Sequence, residues 1–371
     1  MQFDFYMPVR ILSGKNCVQN NAACFALGKK CLIVTGKHAA QLSGALDDVI
    51  SVLKAEHIAW EIFDEIGENP LLSVCAQGGR AACESGADFI IGIGGGSPLD
   101  AAKAIAAFGT NPGIEDMALY DTAALHPSLP LILIPTTAGT GSEVNPYAVL
   151  TLDGQCKKKT FHSPFSYAKY AFLDSRYLHS MPPRGALSCA LDAFCHCLES
   201  YLSPKATVLS AEFACLGAKG LWPVLQKATP EGWPSLTDAD AQALLYGACA
   251  GGLAINTTGT GFPHPMGYNL TLDRGVSHGR ACGAFTGEYI YRCMETSEGD
   301  ARIRCFCQQI AASPQEVAQR IPALSDVTFQ LTETEMERYI SLVKSAGNFK
   351  NCVSPIGETQ MRDIYRKLFL R

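Results

Sequence analysis

Four residues in the second half of the chain have the types and spacing of a metal site. Asp192 and His196 lie four positions apart in LDAFCHCLES, whose helical spacing puts both side chains on one face. His264 and His278 lie fourteen positions apart in GFPHPMGYNLTLDRGVSHGRA, a stretch broken by prolines and glycines. One carboxylate and three imidazoles suit Fe²⁺ or Zn²⁺ rather than Mg²⁺ or Ca²⁺, which prefer all-oxygen sites.

Each pair also has a simpler interpretation. An Asp/His pair at this spacing often forms only a local hydrogen bond, and fourteen residues are close to four turns of a single long helix. The glycines and the turn-like LDRG argue against one helix and favour two histidines that approach a shared point across a turn. Glu199, one turn beyond His196, is either a partner behind the ligands or a surface acid.

Two glycine-rich loops in the first half are typical of nucleotide binding. In GIGGGSPLDAAKAIA the loop follows an apolar run and precedes a helix that Pro98 would begin, so free N–H groups and the positive helix end would face a phosphate. IPTTAGTGSEV follows the next apolar run and adds hydroxyl groups. Each loop alone could be an ordinary turn, but two such loops at one sheet edge favour a dinucleotide. The residues concerned are Gly94, Gly95, Gly96 and Ser97, and Thr136, Thr137, Thr140 and Ser142.

The elements that must position these residues change in character along the chain. Apolar runs that alternate with helical patterns predict strands at 31–36, 59–66, 88–97, 129–137 and 170–175. This alternation predicts a mainly parallel sheet covered on both faces, and the turn at Asp153-Gly154 predicts a hairpin. From Gly185 onward the patterns are helical. We therefore predict an α/β domain over residues 1–181 and an all-helical domain over residues 182–371.

Composition limits the class of protein. The 371 residues, 47% hydrophobic and 18% charged, indicate a globular chain of two domains. A net charge of -5 gives no basic field for a nucleic acid or an anionic membrane. The sequence also lacks a secretory leader and a membrane-spanning run. The 16 cysteines, including the pairs Cys195/Cys197 and Cys305/Cys307, are predicted to be core thiols in a reducing cytoplasm.

Four segments together resemble the iron-containing (group III) alcohol dehydrogenase family over nearly the whole chain. They are GGGSPLDAAK, PTTAGTGSEV, MPPRGALSCALDAFCHCLES and GTGFPHPMGYNLTLDRGVSHGRA, in the family's order. The resemblance implies a Rossmann-like dinucleotide-binding domain and a helical metal-binding domain, a dehydroquinate synthase-like architecture with the active site in the cleft between them. It also implies metal ligation by Asp192, His196, His264 and His278. Nucleotide contacts are implied for Gly94 to Ser97, Asp100, Lys103, Thr136, Thr137, Thr140, Asn69 and Lys158.

Two positions depart from the family's pattern. Many members have a histidine four residues after the third ligand, where this chain has Tyr268, a candidate catalytic hydrogen-bond donor. NAD-using members tend to have an aspartate after the first strand, where this chain has Gly36. The change removes a carboxylate that would repel a 2′-phosphate, and Lys37 and His38 could pair with that phosphate. We therefore predict a preference for NADP(H) over NAD(H).

The predicted reaction is the reversible reduction of an aldehyde to a primary alcohol by NAD(P)H, with Fe²⁺ or Zn²⁺ polarising the carbonyl oxygen. Three alternatives stay open: a polyol (glycerol-type) dehydrogenase, a metal-free reductase like the maleylacetate reductases, and a nucleotide-binding relative without turnover. We expect a small-molecule substrate, no nucleic-acid or membrane partner and a cytoplasmic location. A homodimer is common in the family and is admissible here.

Overall fold

The computed structural model describes residues 3–155 and 157–370, and the chain divides into two compact units. The sheet unit comprises Phe5–Pro182 and Leu236–Cys249. The helical unit comprises Pro183–Ser235, the described residues from Ala250 onward and residues 3–4. The segment 236–249, predicted in the helical domain, is therefore grouped with the sheet, where His179 Nε2 lies 2.9 Å from Asp238 Oδ1. Helical periodicity marks an apolar face but does not say which unit that face packs on.

Eight strands lie in the described part of the sheet unit. They are β1 (Arg10–Ser13), β2 (Lys30–Thr35), β3 (Ala59–Phe63), β4 (Phe89–Gly94), β5 (Leu131–Pro135), β6 (Ala148–Thr151), β7 (Lys158–Phe161) and β8 (Tyr170–Leu173). Six form a parallel sheet in the order β1-β8-β5-β4-β2-β3, and β6 and β7 form the predicted antiparallel hairpin. The edge strand β1 was not predicted, because two of its four residues are exposed, the other two are only half-buried, and it shows no apolar run.

Helices cover both faces of this sheet. The strand β2 shows why: Leu32 and Val34 join an apolar cluster with α4 and α5, whereas Cys31 and Ile33 join a second cluster with α1 to α3. A strand buried on both faces reads as a continuous apolar run, as the sequence predicted. These helices are α1 (Cys17–Asn20), α2 (Ala39–Leu42), α3 (Ala45–Ala55), α4 (Leu72–Ser85) and α5 (Gly96–Thr110).

Nine further helices complete the described chain. Most pack as neighbours in sequence, and α10 contacts α6, α9 and α12. Apart from an isolated bridge between Thr229 and Gly232, the described residues from 183 to 370 contain no strand pairing. The helices are α6 (Pro183–Tyr201), α7 (Val208–Gln226), α8 (Asp238–Thr258), α9 (Pro263–Arg274), α10 (His278–Met294), α11 (Ser297–Gln309), α12 (Pro314–Ser325), α13 (Glu333–Val343) and α14 (Glu358–Phe369).

One helix of the described part, α7, is long and apolar enough to cross a membrane by length and composition alone. Half of its apolar window is buried inside the protein, and it packs against α6. Core helices commonly satisfy the same criterion. The expectation of no membrane partner therefore stays a prediction.

Most of the described cysteines follow the predicted pattern, but Cys83 and Cys305 are exposed, and Cys24 and Cys189 are only half-buried. Cys195, Cys197 and Cys307 are buried, as expected of core thiols. Cys305 is exposed, so its assignment to the core was wrong. Residues two apart on a helix point about 200° apart, which places Cys305 and the buried Cys307 on different sides of α11.

The closest backbone approach in the helical unit lies beside the predicted metal ligands. A Cβ atom added to Gly279, in the first turn of α10, would lie 1.8 Å from the Ser188 carbonyl oxygen and 2.8 Å from the Asp192 nitrogen, both on α6. Only glycine therefore allows α10 to pack against α6 at this distance.

Gly279→Ala is expected to destabilise the protein, because α10 must move away from α6 to make room. We expect a loss of at least about 1–3 kcal/mol, which corresponds to a fall of several degrees in the Tm followed by circular dichroism. Gly185→Ala is the matched control, since no atom lies within 4 Å of a Cβ at this α6 position. A Tm equal to wild type for Gly279→Ala would contradict the packing described.

Candidate metal centre and nucleotide loops

The four predicted ligands come from the starts of two helices and the middle of a third. Asp192 and His196 lie one turn apart on α6 and are both buried. His264 is the second residue of α9, and His278 is the first residue of α10. Gly275, in the left-handed conformation (φ 66°), ends α9 between them. The prediction that the two histidines flank a turn rather than share one long helix is confirmed.

These side chains converge on one carboxylate oxygen. Asp192 Oδ1 lies 3.4 Å from His264 Nε2 and 3.7 Å from the Nε2 atoms of both His196 and His278. It is buried, yet it accepts no hydrogen bond from any described residue. Two ligand atoms that are each about 2.1 Å from a tetrahedral ion lie about 3.4 Å apart, which agrees with these separations. The donor set and its spacing therefore fit a divalent ion.

Glu199 lies directly behind this cluster. Its two carboxylate oxygens each lie 2.9 Å from His264 Nδ1, and Oε2 also accepts a hydrogen bond from the Gly261 N–H at 2.6 Å. With Nδ1–H donating to Glu199, the lone pair of the neutral imidazole is on Nε2, the atom that faces Asp192. Glu199 is almost fully buried. Glu199 is therefore a buried partner of His264 and not a surface acid.

The electrostatics of the cluster favour a bound cation. Burial alone would lower the pKa of His264, but the carboxylates of Glu199 and Asp192 outweigh it and raise that pKa to about 10. Burial alone would raise the pKa of Asp192, but the imidazoles of His196, His278 and His264 hold it below its usual range. The carboxylates therefore stabilise positive charge where the three Nε2 atoms meet, from a proton or from a metal ion.

Sequence reasoning overlooked one residue of this cluster. The Cys282 sulfur lies 3.7 Å from both ring nitrogens of His278. The potential ligand atoms of Asp192, His264, His278 and Cys282 all lie within 4.8 Å of one another. The signal was present, because Cys282 follows His278 by four positions and so shares its helix face.

Tyr268 lies against the same cluster. It follows His264 by one turn on α9, and its half-buried ring stacks on the His278 ring with centroids 5.7 Å apart at 29°. The ring contact places the Tyr268 side chain beside one of the four predicted ligands.

The two glycine-rich loops meet at the carboxyl ends of adjacent parallel strands. Gly94, the last residue of β4, pairs with Pro135 of β5, and its carbonyl accepts a hydrogen bond from the Thr136 N–H at 2.9 Å. A Cβ on Gly96 would lie 2.5 Å from Thr140 Cγ2, so the loops touch where that glycine lies. Helix α5 begins at Gly96, with Pro98 third rather than first. Five of the predicted contact residues are half-buried at this edge: Gly95, Gly96, Ser97, Thr137 and Thr140.

Other predicted contact residues lie inside this edge and hold it together. The Lys103 ammonium group is fully buried and donates to Ser142 Oγ at 2.6 Å and to the Tyr147 carbonyl at 2.7 Å. Asp100 accepts from Ser142 Oγ at 2.6 Å and from the Val149 N–H at 2.8 Å. Burial lowers the pKa of Lys103 to about 8, although Asp100 and Glu143 oppose the shift. These groups fix the second loop and the hairpin to α5, and Gly94 and Thr136 are also buried.

The remaining predicted contact residues lie around this edge. Asn69, with φ 54°, donates its N–H to Ser97 Oγ at 3.2 Å, so it touches the first loop. Lys158 is half-buried on β7, and its charge opposes the rise in the pKa of Asp100 that burial causes. Gly36 follows β2, and Lys37 and His38 are exposed beyond it. Lys37 Nζ lies 3.4 Å from Glu65, a carboxylate that sequence reasoning did not consider.

Comparison with known proteins agrees with this architecture. A profile described as iron-containing alcohol dehydrogenase matches residues 8–175, and the C-terminal profile of that family matches residues 186–342. A sulfoacetaldehyde reductase of Bilophila wadsworthia is 30% identical over 78% of this chain and 76% of its own length. A lactaldehyde reductase of Escherichia coli is 31% identical over 68% of this chain and 65% of its own length. The crystal structure of an iron-containing alcohol dehydrogenase from Thermotoga maritima is 31% identical, with a TM-score of 0.90 over 99% of both chains.

Glu199→Gln is expected to weaken metal binding by about 10–100-fold, because a neutral amide raises the basicity of His264 less than a carboxylate does and offers one acceptor oxygen instead of two. Titration against a chromophoric chelator measures the affinity. The unfolding temperature of metal-depleted protein separates this positioning role from a general loss of structure.

Glu288→Gln is the matched control for this variant. Glu288 is a buried acid of the same unit that pairs with Lys367 and takes no part in the cluster, so its loss should leave metal affinity unchanged. Equal affinities for the Glu199 variant and wild type would refute the role given to Glu199.

Proposed function

Because the chain belongs to the iron-containing alcohol dehydrogenase family, we propose that it is a metal-dependent reductase of short aldehydes that prefers NADPH. The class of reaction follows from the family: the chain is an oxidoreductase acting on CH–OH groups and interconverts an alcohol and an aldehyde. The observation that carries the metal dependence is the buried Asp192 oxygen, which accepts no hydrogen bond from the described residues and faces three imidazole nitrogens. Such an oxygen is costly to bury without a cation.

Asp192, His196, His264 and His278 would hold the ion, which supplies a Lewis acid for the substrate oxygen. The chain's own residues orient the ligands and offset the charge of the ion. Glu199 keeps His264 Nε2 directed at the site, and the Asp192 carboxylate supplies the negative charge that offsets the ion. Either Fe²⁺ or Zn²⁺ suits one oxygen and three nitrogens.

Tyr268 is proposed as the catalytic proton donor. A nicotinamide cofactor would supply the hydride for the carbonyl carbon, and the alkoxide oxygen left by that addition must gain a proton. Tyr268 is supported in this role by its stacking on His278 and by the partial exposure of its side chain.

The cofactor is proposed to bind where the two glycine-rich loops meet. The half-buried Gly95, Gly96 and Ser97 lie at the N-terminus of the fifteen-residue helix α5, where free N–H groups favour a pyrophosphate. Thr137 and Thr140 add hydroxyl donors beside them. Gly94, Asp100, Lys103, Thr136 and Ser142 are proposed to shape this site from behind, with Asn69 and Lys158 at its border.

The preference for NADPH is supported by the surface beyond β2. No carboxylate follows that strand at Gly36, and the exposed Lys37 and His38 are the next residues. A 2′-phosphate would compete with Glu65 for Lys37, and it carries more negative charge than one carboxylate.

The substrate is proposed to be a short aldehyde with a polar substituent. This proposal rests on two relatives, which by name reduce sulfoacetaldehyde and lactaldehyde.

We further propose that residues 1–181 serve nucleotide binding and residues 182–371 serve metal and substrate binding. We also propose that the protein is a homodimer located in the cytoplasm. Sedimentation tests the oligomeric state, and cell fractionation tests the location.

Loss of the ligands is expected to remove metal and activity together. His264→Ala and His278→Ala should each lower bound metal to background and reduce kcat/KM for aldehyde by at least about 10³-fold, because the Lewis acid contributes several kcal/mol. Metal content is measured by plasma mass spectrometry and turnover by NADPH oxidation. Full activity in metal-depleted protein would favour the metal-free reductase instead.

Tyr268→Phe is expected to separate metal binding from turnover. The variant should retain wild-type metal content because no ligand is lost, while kcat falls by about 10²-fold if the phenol donates the proton. An unchanged kcat in Tyr268→Phe would leave Tyr268 only a packing role.

A panel of sulfoacetaldehyde, lactaldehyde and unsubstituted alkyl aldehydes tests the proposed substrate class with the same assay.

Lys37→Ala is expected to lower kcat/KM for NADPH by about tenfold and leave NADH unaffected, because a charged hydrogen bond contributes ~1.5 kcal/mol. Glu65→Gln is the paired variant, since removal of the competing carboxylate should improve NADPH use. Steady-state kinetics with NADPH and NADH measures this cofactor preference in each variant. A wild-type protein that turns over faster and binds more tightly with NADH would overturn the preference.

A further inference from the structure

We propose that Cys282 is an additional ligand of this metal centre, through its thiolate, and that it biases the site towards Zn²⁺ over Fe²⁺. The inference rests on the metal centre proposed above and deepens it. No cysteine was among the ligands expected from the sequence, and Cys282 is fully buried beside them.

The distances place the sulfur among the ligand atoms. Cys282 Sγ lies 3.7 Å from His278 Nε2 and belongs to the group of four side chains whose ligand atoms lie within 4.8 Å of one another. A nitrogen at about 2.1 Å and a sulfur at about 2.3 Å from one ion are about 3.1–3.8 Å apart when the angle between them at the ion is about 90–120°, as in a five-coordinate site. The Cys282–His278 pair therefore has the separation of two ligands of one ion.

A second observation points to an ion at this place. The Asp192 carboxylate oxygen is buried and without a hydrogen bond from the described residues, and it belongs to the same group of four. A cysteine that served only as a small apolar core residue would not need to lie within ligand reach of a buried carboxylate and two imidazoles.

The helix explains why both ligands can act together. His278 and Cys282 are four residues apart in α10, so their side chains lie on the same face one turn apart. Gly279 fixes that face against α6, because any larger residue would collide with the Ser188 carbonyl. The same packing that positions His278 therefore positions the sulfur.

On binding M²⁺, the Cys282 thiol would lose one proton to solvent, and its sulfur would form a bond to the metal ion as a thiolate. No electron is transferred. Aspartate and histidine ligands already bind Zn²⁺ more tightly than Fe²⁺, and a thiolate, as a soft donor, widens that difference. The expected consequence is a Zn²⁺/Fe²⁺ affinity ratio that falls at least tenfold when the sulfur is removed.

The test uses Co²⁺ as a spectroscopic probe of the full-length protein. Thiolate ligation gives an intense sulfur-to-cobalt charge-transfer absorption in the near ultraviolet, which nitrogen and oxygen ligands do not give. We expect this absorption in wild type, its loss in Cys282→Ser and Cys282→Ala, and its retention in Cys293→Ser. Cys293 is the matched control, because it is a buried cysteine of the same helix outside the cluster.

Competition titrations with Zn²⁺ and Fe²⁺ under anaerobic conditions give the affinity ratio for the same variants. Co²⁺ bound without the charge-transfer absorption, or with an absorption that survives both Cys282 variants, would overturn the inference while leaving the proposed function intact. Failure of wild type to bind Co²⁺, Zn²⁺ or Fe²⁺ would overturn both. Should Cys282→Ser fail to fold, the wild-type spectrum and the Cys282→Ala variant still decide the question.

Discussion

The candidate centre depends on one buried carboxylate oxygen that faces three imidazole nitrogens at 3.4–3.7 Å. Burying that oxygen without a hydrogen-bond partner is unfavourable unless a cation is shared among the four groups. Much of the surrounding packing serves this arrangement. Glu199 fixes the nearest imidazole, and the glycine at the start of α10 lets that helix approach α6 closely enough to bring His278 within reach.

Residue spacing predicted the classes of element and the members of the cluster well. Asp192 and His196 had to share a face because i, i+4 spacing fixes neighbours on a helix, and the alternating apolar runs had to form a parallel sheet because they were buried on both faces. The comparisons confirm this fold class. Both patterns depend on local periodicity, which can be read directly from the order of the residues in the sequence.

Features that depend on tertiary contact were not predictable in the same way. Spacing alone places Cys282 on the same helix face as His278, but only the approach of α6 and α9 brings Asp192 and His264 near its sulfur. Lys103 belongs to a segment predicted to bind a nucleotide, yet its ammonium group is buried among acceptors of the chain itself. The edge strand β1 and the grouping of 236–249 with the sheet also depend on partners distant in sequence.

Two of the histidines occupy the first turns of α9 and α10, so both helices begin at the cluster. The peptide dipoles of a helix give its N-terminus a partial positive charge, equivalent to about half an elementary charge. Two such ends favour the arrival of negative charge from outside the chain. Helix direction therefore prepares this site for an oxygen that becomes anionic as it reacts, before any side chain is considered.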